Sequence, residues 1–127
     1  MKKLLLLLVV MLMVSATQAQ KWADLSDEQK ISQLQDFRAD NQKYLKETLK
    51  LSDEQVTDID NVNLAFLAAL DRIGRYGKDD ATKEKWAKTA IAARSSQLDV
   101  IMGAEKRKKF QDYVAAKLKK VQAAQKG

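Results

Sequence analysis

The chain contains no proline and only four glycines in 127 residues, and this lack of helix breakers most constrains its fold. Proline costs about 3 kcal/mol inside a helix and glycine about 1 kcal/mol, and other residues cost less. A chain with so few of these two residues can therefore form long, uninterrupted helices. Apolar residues recur at three- and four-residue intervals through most of the chain, which is the period of a helix buried on one side. The sequence therefore predicts an all-α protein.

The N-terminal segment has the three-part layout of a secretory signal peptide. Lys2 and Lys3 provide a positive charge, Leu4–Val14 is an uninterrupted apolar run, and Ser15–Ala19 supplies the small residues that a signal peptidase requires. A helix of that apolar length rises only about 16 Å, against a hydrocarbon core of about 30 Å. A retained membrane anchor is therefore the weaker alternative.

We expect cleavage after Ala19, which leaves residues 20–127 as a single helical domain in the periplasm or outside the cell. The chain has no cysteine, so neither an acylated N-terminal cysteine nor a disulfide framework is available. Stability must come from helix packing.

The pentapeptide Leu-Ser-Asp-Glu-Gln occurs at 25–29 and again at 51–55. In each copy the serine suits the N-cap of a helix, and the glutamine three residues later completes a capping box. The leucine before the second cap is also placed to form a hydrophobic staple with Val56. The residues of the two motifs are Leu25, Ser26, Gln29, Leu51, Ser52 and Gln55. Similarity between the copies stops there, so the motif is a repeated helix start and not a duplicated domain.

The first two predicted helices begin at these caps. The first runs to about Lys50 and carries one apolar stripe: Ile31, Leu34, Phe37, Tyr44, Leu45 and Leu49. The second has coiled-coil-like spacing and runs to a break bracketed by Gly74 and Gly77; its stripe is Val56, Ile59, Asn63, Phe66, Leu70 and Ile73. Asn63 is either a seam residue that fixes register or oligomeric state, or a solvent-facing residue at the helix rim.

Two more helices complete the chain. The third is capped by Asp79 or Asp80, and its stripe is Ala87, Ile91, Leu98 and Ile101, with Trp86 and Ala90 beside it. Gly103 interrupts it, and the fourth carries Phe110, Val114, Leu118 and Val121. Residues 102–106 stand where a third, eroded copy of the pentapeptide would begin this helix. We expect three to four long antiparallel amphipathic helices in a hairpin or bundle, dimeric because so thin a layer buries little core.

The composition excludes several kinds of chemistry. With no histidine and no cysteine, the usual zinc and copper ligands and the Cys-His and Ser-His-Asp nucleophilic sites are absent. A pair of carboxylates is formally possible, but it needs a cleft that separates two pKa values, and a small helical chain offers little depth. We expect neither an enzyme nor a cofactor.

Positive charge is concentrated at the C-terminus. Residues 104–127 contain eight basic and two acidic side chains, which favours an anionic partner. Export argues against nucleic acid, so an anionic membrane surface or an acidic unfolded protein fits better, and the alternative is a solvated helix face. The candidate partner-binding residues are Lys106, Arg107, Lys108, Lys109, Phe110 and Tyr113. The aromatic members, like Trp86, otherwise fill the core or a dimer interface.

The two pentapeptides, with the signal segment, resemble the Leu-Thr-x-x-Gln signature of the Spy/CpxP family, small helical periplasmic proteins of the envelope-stress response. Serine replaces threonine here, a mild change because both hydroxyls cap helices. The resemblance implies a curved antiparallel helical homodimer that holds unfolded or partly folded envelope proteins without ATP. The sequence has no histidine-rich segment, so we do not expect the zinc-linked branch of the family.

Three functions follow from these observations. The leading one is a periplasmic chaperone that holds unfolded proteins. The second is an envelope-stress adaptor that binds a sensor protein. The third is a structural protein whose basic C-terminal helix lies on an anionic membrane or polymer surface.

Overall fold

The computed structural model describes residues 2–12 and 15–126, and these residues form helices and no β-strand. In chain order the elements are α1 (Lys2–Leu12), α2 (Ala16–Asp24), α3 (Asp27–Lys43), a π-helical turn (Tyr44–Thr48), α4 (Asp53–Tyr76), α5 (Asp80–Met102) and α6 (Ala104–Lys126). The all-α prediction is confirmed. Met13 and Val14, which end the predicted apolar run, and the C-terminal Gly127 lie outside the described residues. Within the described ranges, no helix combines the length and the apolar character needed to cross a membrane.

The four predicted helices correspond to α3, α4, α5 and α6, and their starts lie where the capping residues indicated. Ser26 and Ser52 are the N-caps of α3 and α4. Asp79 caps α5, where its carboxylate accepts a hydrogen bond from the Thr82 N–H at 2.7 Å. Gly103 separates α5 from α6 with φ +85°, a conformation that glycine adopts readily and other residues do not.

Gly74 does not break the second helix, contrary to the sequence prediction. It lies inside α4, and Gly77 is the C-cap. A Cβ atom on Gly74 would stand 2.5 Å from the Ala23 Cβ and 2.6 Å from the Ala19 carbonyl oxygen. Glycine is needed here because α2 crosses α4 at close range.

The first predicted helix ends earlier than Lys50. α3 changes to the π-helical turn at Tyr44, and this turn ends at Thr48. Lys50 then adopts φ +57°, and the Leu51 N–H donates to the Leu45 carbonyl at 3.1 Å. This left-handed residue closes the helix and sends the chain into the second capping box.

The core includes the stripes that the sequence predicted for the last three helices. α4 packs against α2 and α5, and α6 packs against α5 and α1. All six residues of the predicted α4 stripe are buried, including Asn63, which therefore lies on the buried seam and not at the solvent-facing rim. On α6 the stripe residues Phe110, Val114 and Val121 are buried.

α1, the predicted signal segment, also packs into this core, against α3 and α6. Its side chains Leu7, Leu8, Val10 and Met11 are buried. The predicted domain, residues 20–127, does not include this segment, whereas in the described chain the two share one apolar cluster.

The packing of α1 changes which residues of α3 are buried. The predicted stripe residue Ile31 is 55% exposed, while Gln33 and Asn41 are buried. The reason for Gln33 is direct, because its Oε1 accepts a hydrogen bond from the Leu7 N–H of α1 at 2.9 Å. The prediction that Ile31 is buried was wrong, because α1 packs against the side of α3 that carries Gln33 and Ile31 reaches solvent.

Candidate functional site

Both pentapeptides form complete capping boxes. In the first, the Gln29 N–H donates to the Ser26 Oγ at 3.1 Å and the Ser26 N–H donates to the Gln29 Oε1 at 2.9 Å. Ser52 and Gln55 make the same pair of bonds at the same distances. These groups satisfy the free amides at the start of their own helices, which is a folding role.

The second motif has a further contact. The Gln55 Nε2 donates to the Ile101 carbonyl at 3.0 Å, near the C-terminal end of α5. Leu51 and Val56, the predicted staple pair, are both buried, whereas Leu25 of the first motif is half-buried. The second motif therefore ties two helices together, in addition to starting one.

Two cations of the predicted basic cluster lie against carboxylates. The Arg107 guanidinium pairs with Asp99, and the Lys109 Nζ lies 3.6 Å from a Glu105 carboxylate oxygen. Lys106 is half-buried, and Lys108 is exposed. Neighbouring carboxylates thus offset part of the positive charge that the sequence places on this stretch.

The two aromatic residues of the cluster face inward. Phe110 is 1% exposed and belongs to the core. Tyr113 stacks on Tyr44, with ring centroids 4.0 Å apart, and its hydroxyl donates to the Asp40 carboxylate at 2.9 Å. Burial and the Asp40 carboxylate raise the pKa of Tyr113 to about 12, so the phenol stays protonated at neutral pH. Lys117 binds the other Asp40 oxygen at 2.9 Å, and the group joins α3 to α6.

An apolar cleft lies open between α3 and α4, with a volume of about 260 Å³. Two of its aliphatic side chains reach solvent, since Ile31 is 55% and Leu64 40% exposed. We call this surface the open cleft; its lining residues are Trp22, Asp27, Lys30, Ile31, Leu34, Leu64, Leu67, Ala68 and Asp71. This cleft could not be predicted from the sequence, because a stripe of apolar residues indicates burial and does not show which of them the neighbouring helix leaves uncovered.

One end of the open cleft carries an ion pair. The Lys30 Nζ lies 2.6 Å from an Asp71 carboxylate oxygen, and the Arg75 Nε lies 3.0 Å from the other. Burial by itself raises the pKa of Asp71, but the hydrogen bonds from Lys30 and Arg75 outweigh it and lower the pKa below its usual value. Asp71 therefore remains charged at neutral pH and keeps this end of the cleft polar.

A second apolar surface lies under α1. We call this surface the α1 groove. Near the C-terminal end of α1, a cavity of about 30 Å³ lies between the groove and the α1 residues Met11 and Leu12. Its own walls at this end come from α5 and α6: Ile91, Arg94, Ser95, Leu98, Arg107, Phe110, Gln111 and Val114. Phe110 is thus a core residue whose neighbours include the predicted signal segment.

Arg94 is the cationic residue of the α1 groove that binds α1 directly. Its Nη1 donates to the Met11 carbonyl at 3.2 Å, its Nε donates to the Asn63 Oδ1 at 2.9 Å, and its guanidinium lies 5.5 Å from the centre of the Phe66 ring. Burial, with repulsion from Arg107, lowers the pKa of Arg94 to about 10, so it is charged at neutral pH. It stabilises the carbonyl end of α1, where the helix dipole is negative.

The predicted cleavage site lies inside α2. Ala19 is fully buried, and its carbonyl oxygen faces Gly74 of α4. Proteases prefer exposed and flexible backbone. Cleavage after Ala19 would therefore have to precede the folding of α2 onto α4.

No group of three or more histidine, cysteine, aspartate or glutamate side chains within the described ranges is placed to hold a metal ion. The chain matches no protein-family model, and it has no significant match among curated proteins or solved structures. Function therefore has to be argued from the two apolar surfaces.

Proposed function

We propose that the chain is exported, loses residues 1–19, and acts as an ATP-independent chaperone that holds apolar segments of unfolded proteins. The observation that carries this proposal is the open cleft, where Ile31 and Leu64 are exposed beside buried neighbours and a charged end. Exposed apolar surface with a polar rim is typical of interaction sites.

The size of the open cleft suits weak and reversible binding. Full burial of one leucine or phenylalanine side chain contributes about 1.5–3 kcal/mol, and ordering the bound segment offsets part of this. Such a complex dissociates without an energy source. The sequence has neither of the glycine patterns that cradle phosphates, which agrees with a function independent of nucleotide.

The charged surroundings support the same function. Asp71 stays ionised and pairs with Lys30 at one end of the cleft, so an apolar segment is preferred in the middle and polar flanks at the end. The whole chain has a net charge of +6, and the loss of Lys2 and Lys3 leaves residues 20–127 with +4, which attracts acidic unfolded proteins over long range. The doubled capping motif and its resemblance to the Spy/CpxP signature add support, and we include the antiparallel homodimer of that family in the proposal.

Light scattering of a denatured test protein tests this function directly. The processed chain, purified after export, should suppress aggregation at stoichiometric amounts without ATP. Unchanged aggregation would contradict the proposal. A pull-down that returns many weakly bound envelope proteins would favour the chaperone, whereas one partner in high yield would favour the sensor-binding adaptor.

The surface-binding alternative has less support. Phe110, Val114 and Val121, the apolar stripe of α6, are buried in the described chain. Arg107 and Lys109 of this helix also lie against carboxylates, which reduces the positive charge available to attract an anionic surface.

A further inference from the structure

The chain contains an example of what the α1 groove can bind. α1 is eleven residues of Lys, Leu, Val and Met, and its buried side chains Leu7, Leu8, Val10 and Met11 fill the groove between α3 and α6. Its backbone is also bound at two places, through Gln33 at Leu7 and through Arg94 at Met11. The groove thus binds an apolar helix in two ways. It packs against the side chains of the helix, and it forms hydrogen bonds with backbone N–H and C=O groups, which a helix of any sequence carries.

These two backbone contacts define a direction. Arg94 donates to a carbonyl at the C-terminal end of α1, where the last carbonyls of a helix have no partner within it. The opposite orientation would bring free N–H groups and the positive end of the helix dipole to a guanidinium. Arg107, which is paired with Asp99, lies beside it in the same wall.

We infer that removal of residues 1–19 turns the α1 groove into a second binding site, for an apolar helical segment of an unfolded exported protein with its C-terminal end at Arg94. The inference rests on the proposed function and names a class of substrate for it. Phe110 and Val114, which now pack near Met11, become part of the surface that the bound segment covers.

The polar groups of the groove explain why an empty site remains suited to a helix. Arg94 keeps its bond to Asn63 and its position over Phe66 when α1 is absent, so its guanidinium stays oriented. The Gln33 side chain loses its partner and is free to accept from another backbone N–H. Apolar segments of about three turns fit, because α1 has this length.

The direct test uses the processed chain purified after export, with its N-terminus identified by intact mass. The probe is an acetylated, fluorescently labelled peptide of residues 2–12 with a C-terminal amide, and its binding is measured by fluorescence anisotropy. We expect saturable binding that weakens about tenfold in Arg94→Met, because a charged hydrogen bond to the helix end is lost. The matched control is Arg72→Met, at an exposed position of α4, and it should leave the affinity unchanged.

Direction is tested with a peptide of the reversed sequence, which has the same composition. It should bind about tenfold more weakly, since its lysines would meet Arg94 and Arg107. Equal affinity of the two peptides, or equal affinity of the wild-type chain and Arg94→Met, would overturn the inference. Retention of residues 1–19 in the exported protein would overturn it as well.

A photo-crosslinking measurement needs no variant and stays informative if Arg94→Met fails to fold. A diazirine at the C-terminal end of the probe should label α5 and α6 near Arg94 and Phe110. Labelling at Ile31 or Leu64 instead would show that the peptide occupies the open cleft, which contradicts the groove and leaves the chaperone proposal standing. If the chain suppresses aggregation but does not bind the peptide, the groove inference fails and the chaperone proposal stands.

Discussion

The two copies of Leu-Ser-Asp-Glu-Gln make identical caps in different surroundings. The first begins α3 at the edge of the open cleft, where Asp27 is a lining residue and Leu25 is half-buried. The second begins α4 at a closed interface, where Leu51 is 6% exposed and Gln55 also binds the Ile101 carbonyl. A short motif therefore fixes how a helix starts, and the helices around it decide whether that start borders an open cleft or holds the fold together.

The largest difference in stability between the two copies is expected when their leucines are replaced by alanine. Leu51→Ala removes a buried side chain and should lower the free energy of unfolding by about 3 kcal/mol. Leu25→Ala, at a half-buried site, should cost about 1 kcal/mol. Urea unfolding followed by far-UV circular dichroism measures both. Equal losses would show that the two copies are equally packed and would break the comparison.

The glutamines should differ by less. Gln55→Ala loses the bond to the Ser52 N–H and leaves the Ile101 carbonyl without its donor, so we expect a loss of about 2 kcal/mol. Gln29→Ala is the matched control, because it loses only the capping bond, and about 1 kcal/mol is expected. A loss at Gln29 as large as that at Gln55 would mean that the contact with α5 adds nothing.

The serines should not differ. Ser26→Ala and Ser52→Ala each remove the acceptor of one helix-start N–H and should each cost about 1 kcal/mol. Replacement by aspartate keeps an acceptor at the N-cap and should retain most of the stability. Unequal serine effects would show that the cap itself, and not only its surroundings, differs between the copies.

The smallest effect concerns the entry to the second copy. Lys50 has φ +57°, a left-handed conformation that is costly for residues with a Cβ atom. Lys50→Gly should therefore raise the free energy of unfolding by up to about 1 kcal/mol. Lys43→Gly, inside α3, should lower it by about 1 kcal/mol and serves as the control. A loss at Lys50 would contradict the assigned conformation.

Much of the fold follows from local rules and could be predicted. The caps at Ser26, Ser52 and Asp79, the stop at Gly103 and the buried α4 stripe depend on neighbours a few residues apart. Contacts between distant segments could not be predicted in this way. Gly74 is needed for an approach of α2, and neither segment alone indicates that approach.

The candidate site was less predictable than the fold. Nothing local distinguishes Ile31, which is exposed in the open cleft, from Phe37, which is buried, because both lie on one apolar stripe. Likewise, the hydrogen bond from Arg94 to Asn63 joins residues on different helices. The contact of Arg94 with Met11 involves α1, a segment whose sequence predicts a cleaved signal peptide. Only the packing of whole helices shows these groups together.

The measurement that tests the chaperone proposal most directly is aggregation of a denatured protein in the presence of the Ile31→Asn, Leu64→Asn double variant of the processed chain. Both side chains are only partly buried, so the free energy of unfolding should fall by no more than about 2 kcal/mol and the variant should remain folded. The control is Val100→Asn, at a site that is 88% exposed on α5 and is not a lining residue of the open cleft. We predict that the double variant loses most of its suppression of light scattering and that the control keeps it. Full suppression by a folded double variant would contradict the assignment of the open cleft as the binding surface.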